Sequence, residues 1–243
     1  MSSTANVSVP GSQQKQPWCS VIIPTLNEAR FIGRTLTRLL ASPPSSFEII
    51  IADGGSTDDT VAIARGHGAH IVRSYRGRAA QLNAGAAAAR GDSLLFLHAD
   101  TLLPPDFARF FPPGYHGPAA CFQLRFTNQR QSALLRFYSY CTRFDFDAFR
   151  FGDQGLWVLQ RDFAAVGGYP TNWQLLEDNY LVRKLRAYRG AFRVLPVAVE
   201  TSPRKYLRNG VAYTQLVYTL LYTMYRTGAS QQLLQKTYAR LLH

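Results

Sequence analysis

The chain has 243 residues, 47% of them hydrophobic, enough for one α/β domain, with or without a small appendage, around a sizeable core. Twenty-seven basic residues face 15 acidic ones, and the net charge of +12, mostly arginine, suits an anionic partner: nucleotide phosphates, an anionic membrane surface or nucleic acid. Cys19, Cys121 and Cys141 are too widely spaced for a zinc pattern and odd in number for a disulfide scaffold, and no apolar stretch reaches the ~20 residues that span a bilayer.

Residues 1–17 are polar, lack the apolar region of a secretory signal and read as a disordered leader, so the expected location is the cytoplasm. Cys19–Pro24 is a short apolar run and reads as a strand. Asn27 is placed to cap a helix with Phe31, Ile32, Leu36, Leu39 and Leu40 on one face, stopped by Pro43-Pro44. Phe47–Ala52 is a second strand, followed by the turn Asp53-Gly54-Gly55-Ser56. A short helix then starts at Thr57 or Asp58 and runs to about Arg65. His70–Arg73 is a third strand, the Ala-rich stretch Ala79–Arg90 a helix, and Leu94–Leu97 a fourth strand. This alternation predicts a parallel sheet with helices on both faces. The second half is less regular. Ala120–Thr127, Leu156–Gln160 and Ala191–Pro196 read as strands. Ala133–Cys141, Arg161–Val166, Leu176–Tyr188 and Val211–Tyr225 read as helices.

Ligands of such sheets bind beyond the carboxyl ends of the strands. There the fourth strand breaks from apolar residues into His98-Ala99-Asp100. Asp100 can hold a hard cation such as Mg²⁺, or cap the turn before Pro104-Pro105. Pro24-Thr25-Leu26-Asn27-Glu28 follows the first strand and Asp53–Asp58 the second, so three strand ends converge on one edge. An acid after the second strand can bind a ribose or base edge, and equally can organise a tight turn. Arg76-Gly77-Arg78 precedes a helix N-terminus, which makes an anion site suited to a diphosphate, or an ordinary surface loop. No GxGxxG follows the first strand and no Walker A lysine loop is present, which argues against nicotinamide and P-loop nucleotide sites. Glu177-Asp178 opens a helix, where two acids suit the helix dipole or one serves as a general base.

Together these motifs resemble glycosyltransferase family 2. Val21–Glu28 is similar to its opening strand and Ala52–Asp58 to its Asp-Asp-Gly-Ser turn. His98-Ala99-Asp100 falls where that family has Asp-x-Asp, and Glu177-Asp178 where it has Glu-Asp. Arg76-Gly77-Arg78, Asn83-Ala84-Gly85, Leu97–Thr101 and Gly152-Asp153-Gln154 look like a small radical-SAM or selenodomain-associated subgroup. The resemblance implies a GT-A fold: a Rossmann-like, nucleotide-binding mixed α/β sheet flanked by helices. It would span residues 18–203, with a C-terminal helical extension over 204–243 packed on the same domain. It implies inverting transfer from a nucleotide diphosphate sugar, a UDP-sugar being the expected donor, to a hydroxyl of a small-molecule or lipid acceptor. Pro24, Thr25, Glu28, Asp53, Gly54, Arg78, Asn83, His98 and Ala99 would bind the donor, with Asp53 on the uracil edge and Arg78 on the diphosphate. Asp100 would hold Mg²⁺ or Mn²⁺. Asp178 would be the general base with Glu177 in support, and Asp153 and Gln154 would face the sugar or acceptor.

Two departures stand out. His98 replaces the first acid of Asp-x-Asp, and Gly54 replaces a second acid after Asp53. A nucleotidyltransferase on a similar sheet is a rival class, but its glycine-rich triphosphate loop is missing. A degenerate protein that binds a nucleotide sugar without transferring it is another. Arginine is dispersed along the chain, which argues against a nucleic-acid partner. Residues 206–226 interleave Tyr213, Tyr218, Tyr222 and Tyr225 with Leu and Val between basic flanks. Such a segment suits packing, a homodimer contact or peripheral contact with a membrane.

Overall fold

Burial of apolar runs on both sides fixes the centre of the sheet. β1 (Cys19–Thr25), β2 (Phe47–Asp53), β3 (His70–Arg73) and β4 (Ser93–Phe96) form its parallel half. β5 (Ala120–Phe126), β6 (Leu156–Leu159) and β7 (Arg193–Thr201) complete a seven-stranded sheet in the order β3-β2-β1-β4-β6-β5-β7. The computed structural model describes residues 16–42, 47–112, 114–127 and 132–242. Residues 1–15 of the expected leader and the Pro43-Pro44 stop lie outside that set. β6 runs antiparallel to both neighbours, so the sheet is mixed, as GT-A requires.

Side chains of β1 alternate between two cores, as a period of two dictates. Val21 and Ile23 face α1 (Ala29–Leu40) through Ile32, Leu36 and Leu39; α2 (Thr60–Gly66) adds Ala64. Ile22 faces the opposite layer. There α3 (Arg78–Ala88), α5 (Gln160–Ala165) and α6 (Glu177–Arg189) supply Leu82, Phe163 and Leu181. Gly85 lets α3 lie directly on β1, because a Cβ there would overlap Ile22 Cγ2. That approach sets the N-terminal end of α3, where Arg78 sits.

Three local expectations change. Asn27 does not cap α1. It takes a left-handed φ of 56° and accepts from Thr57 N at 2.8 Å, while Asp58 Oδ2 reaches across to Ala29 N at 3.1 Å. The last strand does not stop at Pro196 but runs on to Thr201. Among the named strands β7 pairs with β5 alone, with one isolated bridge from Glu200 to Leu102, and an edge strand with an irregular register tolerates proline. Two helices carry no strong sequence signal, α7 (Arg204–Asn209) and α9 (Gln231–Leu241).

α4 (Ala133–Cys141) lies against β5, and α8 (Val211–Arg226) packs on α9. Val217 and Leu221 of α8 join Leu234 and Leu242 in a third cluster that also receives Leu175 and Leu176. The C-terminal helices therefore brace the turn that opens α6. Among the described residues no helix is long and apolar enough to cross a membrane. Gly85→Ala should destabilise the fold by about 1–3 kcal/mol through overpacking against Ile22, read from the urea midpoint at unchanged m-value.

Candidate active site

Flush registers bring the strand ends together. Thr25 pairs with Asp53, and Leu97 N donates to Ile22 O at 2.9 Å, which carries the chain after β4 along the same edge. Gln81 of α3 clasps this edge: its Nε2 donates to Thr25 O at 2.7 Å and Ala52 O at 2.8 Å. Asp53 is consumed by its own turn. It accepts from Gly55 N and Ser56 N at 3.0 Å, from Ser56 Oγ at 2.5 Å and from Thr25 Oγ1 at 3.2 Å. Burial opposes its charge, but bonds from Ser56, Gly55 and Thr25 outweigh that and hold the carboxyl below its usual range. Its four acceptor positions are filled, so in this geometry Asp53 shapes the loop instead of presenting an edge to a base.

The next group joins α3 to α6. Arg78 reaches Glu177 Oε1 at 3.2 Å and Asp178 Oδ2 at 2.8 Å. Burial would lower the Arg78 pKa, but the charges of Asp178 and Glu177 raise it on balance. Burial raises Glu177, with Arg78 pulling the other way. Gly152 makes this approach possible, since a Cβ there would overlap Arg78 Nη2. Leu176, just before the two acids, takes φ 62°, a left-handed conformation that costs a leucine of order 1–3 kcal/mol. Packing of Leu176 into the α8–α9 cluster and a bond from Gln231 Nε2 to Leu175 O at 3.2 Å hold that turn. Asp178 gives Oδ2 to Arg78, while its Oδ1 has no regular hydrogen bond.

Tyr169 stands beside the pair. Burial first, then the Asp178 charge, push its hydroxyl well above the ordinary tyrosine range. Asn83 holds Tyr169 there: Nδ2 donates to Tyr169 O at 2.8 Å and Oδ1 accepts from Tyr169 N at 3.0 Å. This corrects the donor contact expected of Asn83, whose amide is spent on backbone. Gln154 is likewise buried beneath the site, with Oε1 accepting from Phe151 N at 3.4 Å, and does not face the cavity. Asp153 does face it. Burial lifts its carboxyl to about 6 despite the Arg78 charge, and its Oδ1 has no partner.

Asp100 lies at the third corner. Thr35 Oγ1 pins the preceding turn through Ala99 O at 2.7 Å, and Thr101 Oγ1 meets Thr201 Oγ1 at 3.1 Å. The second contact brings the end of β7 beside Asp100 and swings Arg204 over it. Arg204 Nε is 3.4 Å from Asp100 Oδ2, and its other nitrogens reach Glu28 at 3.2 and 3.0 Å. Burial raises Asp100, partly offset by Arg204. His98 is held well below the imidazole range by burial and by Arg78, Lys205 and Arg204, so it is neutral, with Nε2 unpartnered.

No three His, Cys, Asp or Glu side chains close on one point among the described residues. A Mg²⁺- or Mn²⁺-like ion at a phosphate site takes one or two protein ligands and completes its shell with phosphate oxygens and water. A desolvated carboxylate beside an unpartnered neutral imidazole fits that kind of site.

One cavity of about 410 Å³ gathers Arg78, His98, Asp100, Asp153, Glu177 and Asp178. Pro24, Thr25, Asp53 and Gly54 lie outside it on the β1 and β2 ends, Glu28 is bound to Arg204, and Ala99 turns its carbonyl to Thr35. The sequence alone does not point to Gln81 or Tyr169, and shows Arg204 and Lys205 only as the basic flank of the Tyr-rich segment. Arg204-Lys205 directly after a strand end was the available signal, once β7 is followed past Pro196.

Comparison with known proteins agrees with this fold. The profile described as Glycosyl transferase family 2 matches residues 20–165. Validoxylamine A glucosyltransferase of Streptomyces hygroscopicus subsp. limoneus is 31% identical over 128 residues, 46% of this chain and 26% of that protein. The chain thus spans about a quarter of that relative's length. The mannosyltransferase PcManGT from Pyrobaculum calidifontis, in complex with GDP-Man and Mn²⁺, has a TM-score of 0.66 at 19% identity, covering 92% of this chain and 70% of that one. Glucosyl-3-phosphoglycerate synthase from Mycobacterium tuberculosis, in complex with Mn²⁺, UDP and glucosyl-3-phosphoglycerate, gives 0.58 at 18% identity, covering 93% and 88%. The mixed seven-stranded sheet is the GT-A fold, and with more than half of its length matched by the profile the chain belongs to glycosyltransferase family 2.

Proposed function

We propose that the protein is an inverting, metal-dependent glycosyltransferase that takes its sugar from a nucleotide diphosphate donor, a UDP-sugar in the first instance. The observation that carries this reading is Arg78, paired with Glu177 and Asp178 in the same cavity as Asp100. The solved relatives hold GDP-Man or UDP together with Mn²⁺, which supports a donor of this class. The segments Arg76-Gly77-Arg78 and Gly152-Asp153-Gln154 keep the radical-SAM or selenodomain-associated subgroup as the reading within the family.

Arg78 has two suitors. In the free protein it neutralises Glu177 and Asp178; a donor diphosphate offers it a second, denser anion. Engagement with the diphosphate releases the Asp178 carboxylate to take up a proton. Coupling the base to the donor in this way ties its activation to a loaded site. A divalent cation held by Asp100, with His98 beside it, supplies positive charge for the leaving diphosphate when bound. The acceptor hydroxyl loses its proton to Asp178 while its oxygen bonds to the anomeric carbon. The bond from that carbon to the β-phosphate oxygen breaks, its electron pair leaves on the nucleoside diphosphate, and the anomeric configuration inverts. Arg78 and the neighbouring Arg204 and Lys205 balance the negative charge that develops. His98, kept neutral, can offer the sugar or ribose a hydrogen bond without adding charge. Asp153, unpartnered and facing the cavity, is placed for the sugar or acceptor hydroxyls.

Asp178→Asn should keep UDP binding while slowing UDP release from UDP-glucose by at least about 100-fold. Loss of UDP affinity in that variant would remove Asp178 from the role of base. Asp100→Ala should bind UDP equally with Mn²⁺ or with chelator; retained metal dependence would move the metal elsewhere. Asp153 has a folded pKa of about 6, above the ~3.9 of an unfolded aspartate, so the fold holds its proton longer. Its contribution is therefore full below pH ~4 and is lost as pH rises through ~6. The melting temperature of Asp153→Asn should gain on that of the unsubstituted protein between pH 4.5 and 7.5, and a constant difference would refute the assigned burial.

A further inference from the structure

The cavity extends beyond its charged end into an aromatic arm that the transfer step leaves unused. Phe126 of β5 meets Tyr206 of α7 edge-on at 5.1 Å, Tyr206 meets Tyr218 of α8 at 6.1 Å, and Tyr218 faces Phe151 at 6.5 Å. Leu176, Leu221, Tyr138 and Tyr238 add to the same wall. Burial, then Asp153, pushes the Tyr206 hydroxyl far above its ordinary range, and burial, then Tyr238 and Asp153, does the same for Tyr218; Phe151, two residues before Asp153, joins the arm to the charged end. The Tyr206 hydroxyl is already bonded to Gln215 Oε1 at 3.3 Å. The charged side chains of the lining act on the Asp100, Asp153 and Glu177 group at the phosphate end, and the Lys205 ammonium also stands 5.8 Å from the Tyr238 ring, where the two ends meet. Elements walling the arm are apolar outside as well: Phe137 on α4 and Leu216 and Leu220 on α8 are exposed.

We propose that this arm is the acceptor site and that the acceptor is a hydroxyl carried on an apolar body, a hydrocarbon, isoprenoid or phenolic alcohol. The proposal rests on the transferase reading above. Pockets for apolar ligands pair ring and aliphatic walls with a few placed polar groups, and here those groups are Asp178 and Asp153 at one end. Thr142, Gln174 and Gln215 also line the cavity, but Thr142 and Gln215 are already bonded to Leu124 N and the Tyr206 hydroxyl, and ring and aliphatic carbon forms most of the wall. A phosphorylated or carboxylic acceptor would bring a second anion against Asp153 and Asp178. A chain with a terminal hydroxyl satisfies both ends: its oxygen meets Asp178 and its body displaces water from the rings.

Calorimetric titration with hexanol, octanol and decanol, with UDP and Mn²⁺ present, tests this directly. Affinity should tighten by about fourfold per methylene at one site per chain until the arm is full. Tyr218→Gln, which puts an amide among the rings, should weaken decanol by at least about tenfold. The chain-length series on the unsubstituted protein stands even if that variant does not fold. Affinity independent of chain length, or binding of methyl glucoside in place of decanol, would overturn the proposal. Sedimentation with phosphatidylcholine vesicles, with and without a long-chain isoprenoid alcohol, separates the sources. Retention on the doped vesicles alone assigns a membrane lipid; decanol binding without retention assigns a free small alcohol, and both support the apolar acceptor. UDP binding without alkanol binding overturns this inference and leaves the transferase reading standing. Alkanol binding without UDP binding supports the apolar site and counts against that reading.

Discussion

The site depends on one guanidinium between two helix-borne carboxylates. Arg78 begins α3, Glu177 and Asp178 begin α6, and these helices pack on the same face of the sheet. Removing one partner from a largely buried ion pair leaves the other charge uncompensated, which is far costlier than the pair is beneficial. The surrounding residues answer to that constraint. Gly85 brings α3 down onto β1, Gly152 vacates the space that Nη2 occupies, and Asn83 fixes Tyr169 against Asp178.

Charge balance extends the same logic across the cavity. Asp100, Asp153, Glu177 and Asp178 would repel one another and any incoming phosphate if left alone. Arg78, Arg204 and Lys205 offset them, and Arg204 does so from a segment remote in sequence, spanning Glu28 and Asp100 at once. The C-terminal helices contribute mechanically too. Leu176 is held at a left-handed φ because its side chain and the backbone of Leu175 are anchored to α8 and α9. Strain of this sort persists where the surroundings over-determine it, and here it aims the two acids that follow.

Much of this was legible in the chain. Apolar runs ending in polar turns located β1, β2 and β4, and their parallel pairing brings Asp53, Arg78 and Asp100 to one side. Asp178, Glu177, Arg78, His98, Asp100 and Asp153 line one cavity. What stayed hidden depends on long-range partners. Whether Asn83 meets a ligand or a backbone is decided by Tyr169, 86 residues away. The turn at Asp53 is one of two readings its sequence offers, and only the bonds from Gly55, Ser56 and Thr25 decide for it. Asn27 looks like a helix cap until Asp58 proves better placed across the loop. Pro196 suggests a strand end, and only the position of β7 at the sheet edge explains why the strand continues to Thr201 and delivers Arg204.

The central claim is that the charged end of the cavity is built for a nucleoside diphosphate. It is tested most directly by thermal unfolding of the unsubstituted protein with UDP, GDP and their sugars, each with Mn²⁺, Mg²⁺ or chelator. A ligand at ~100 times its Kd stabilises the folded state by about 2.7 kcal/mol, a shift well above the precision of the measurement. The account predicts such a shift with UDP or a UDP-sugar that disappears on chelation. A folded protein whose melting temperature ignores every nucleotide, with or without metal, would contradict it.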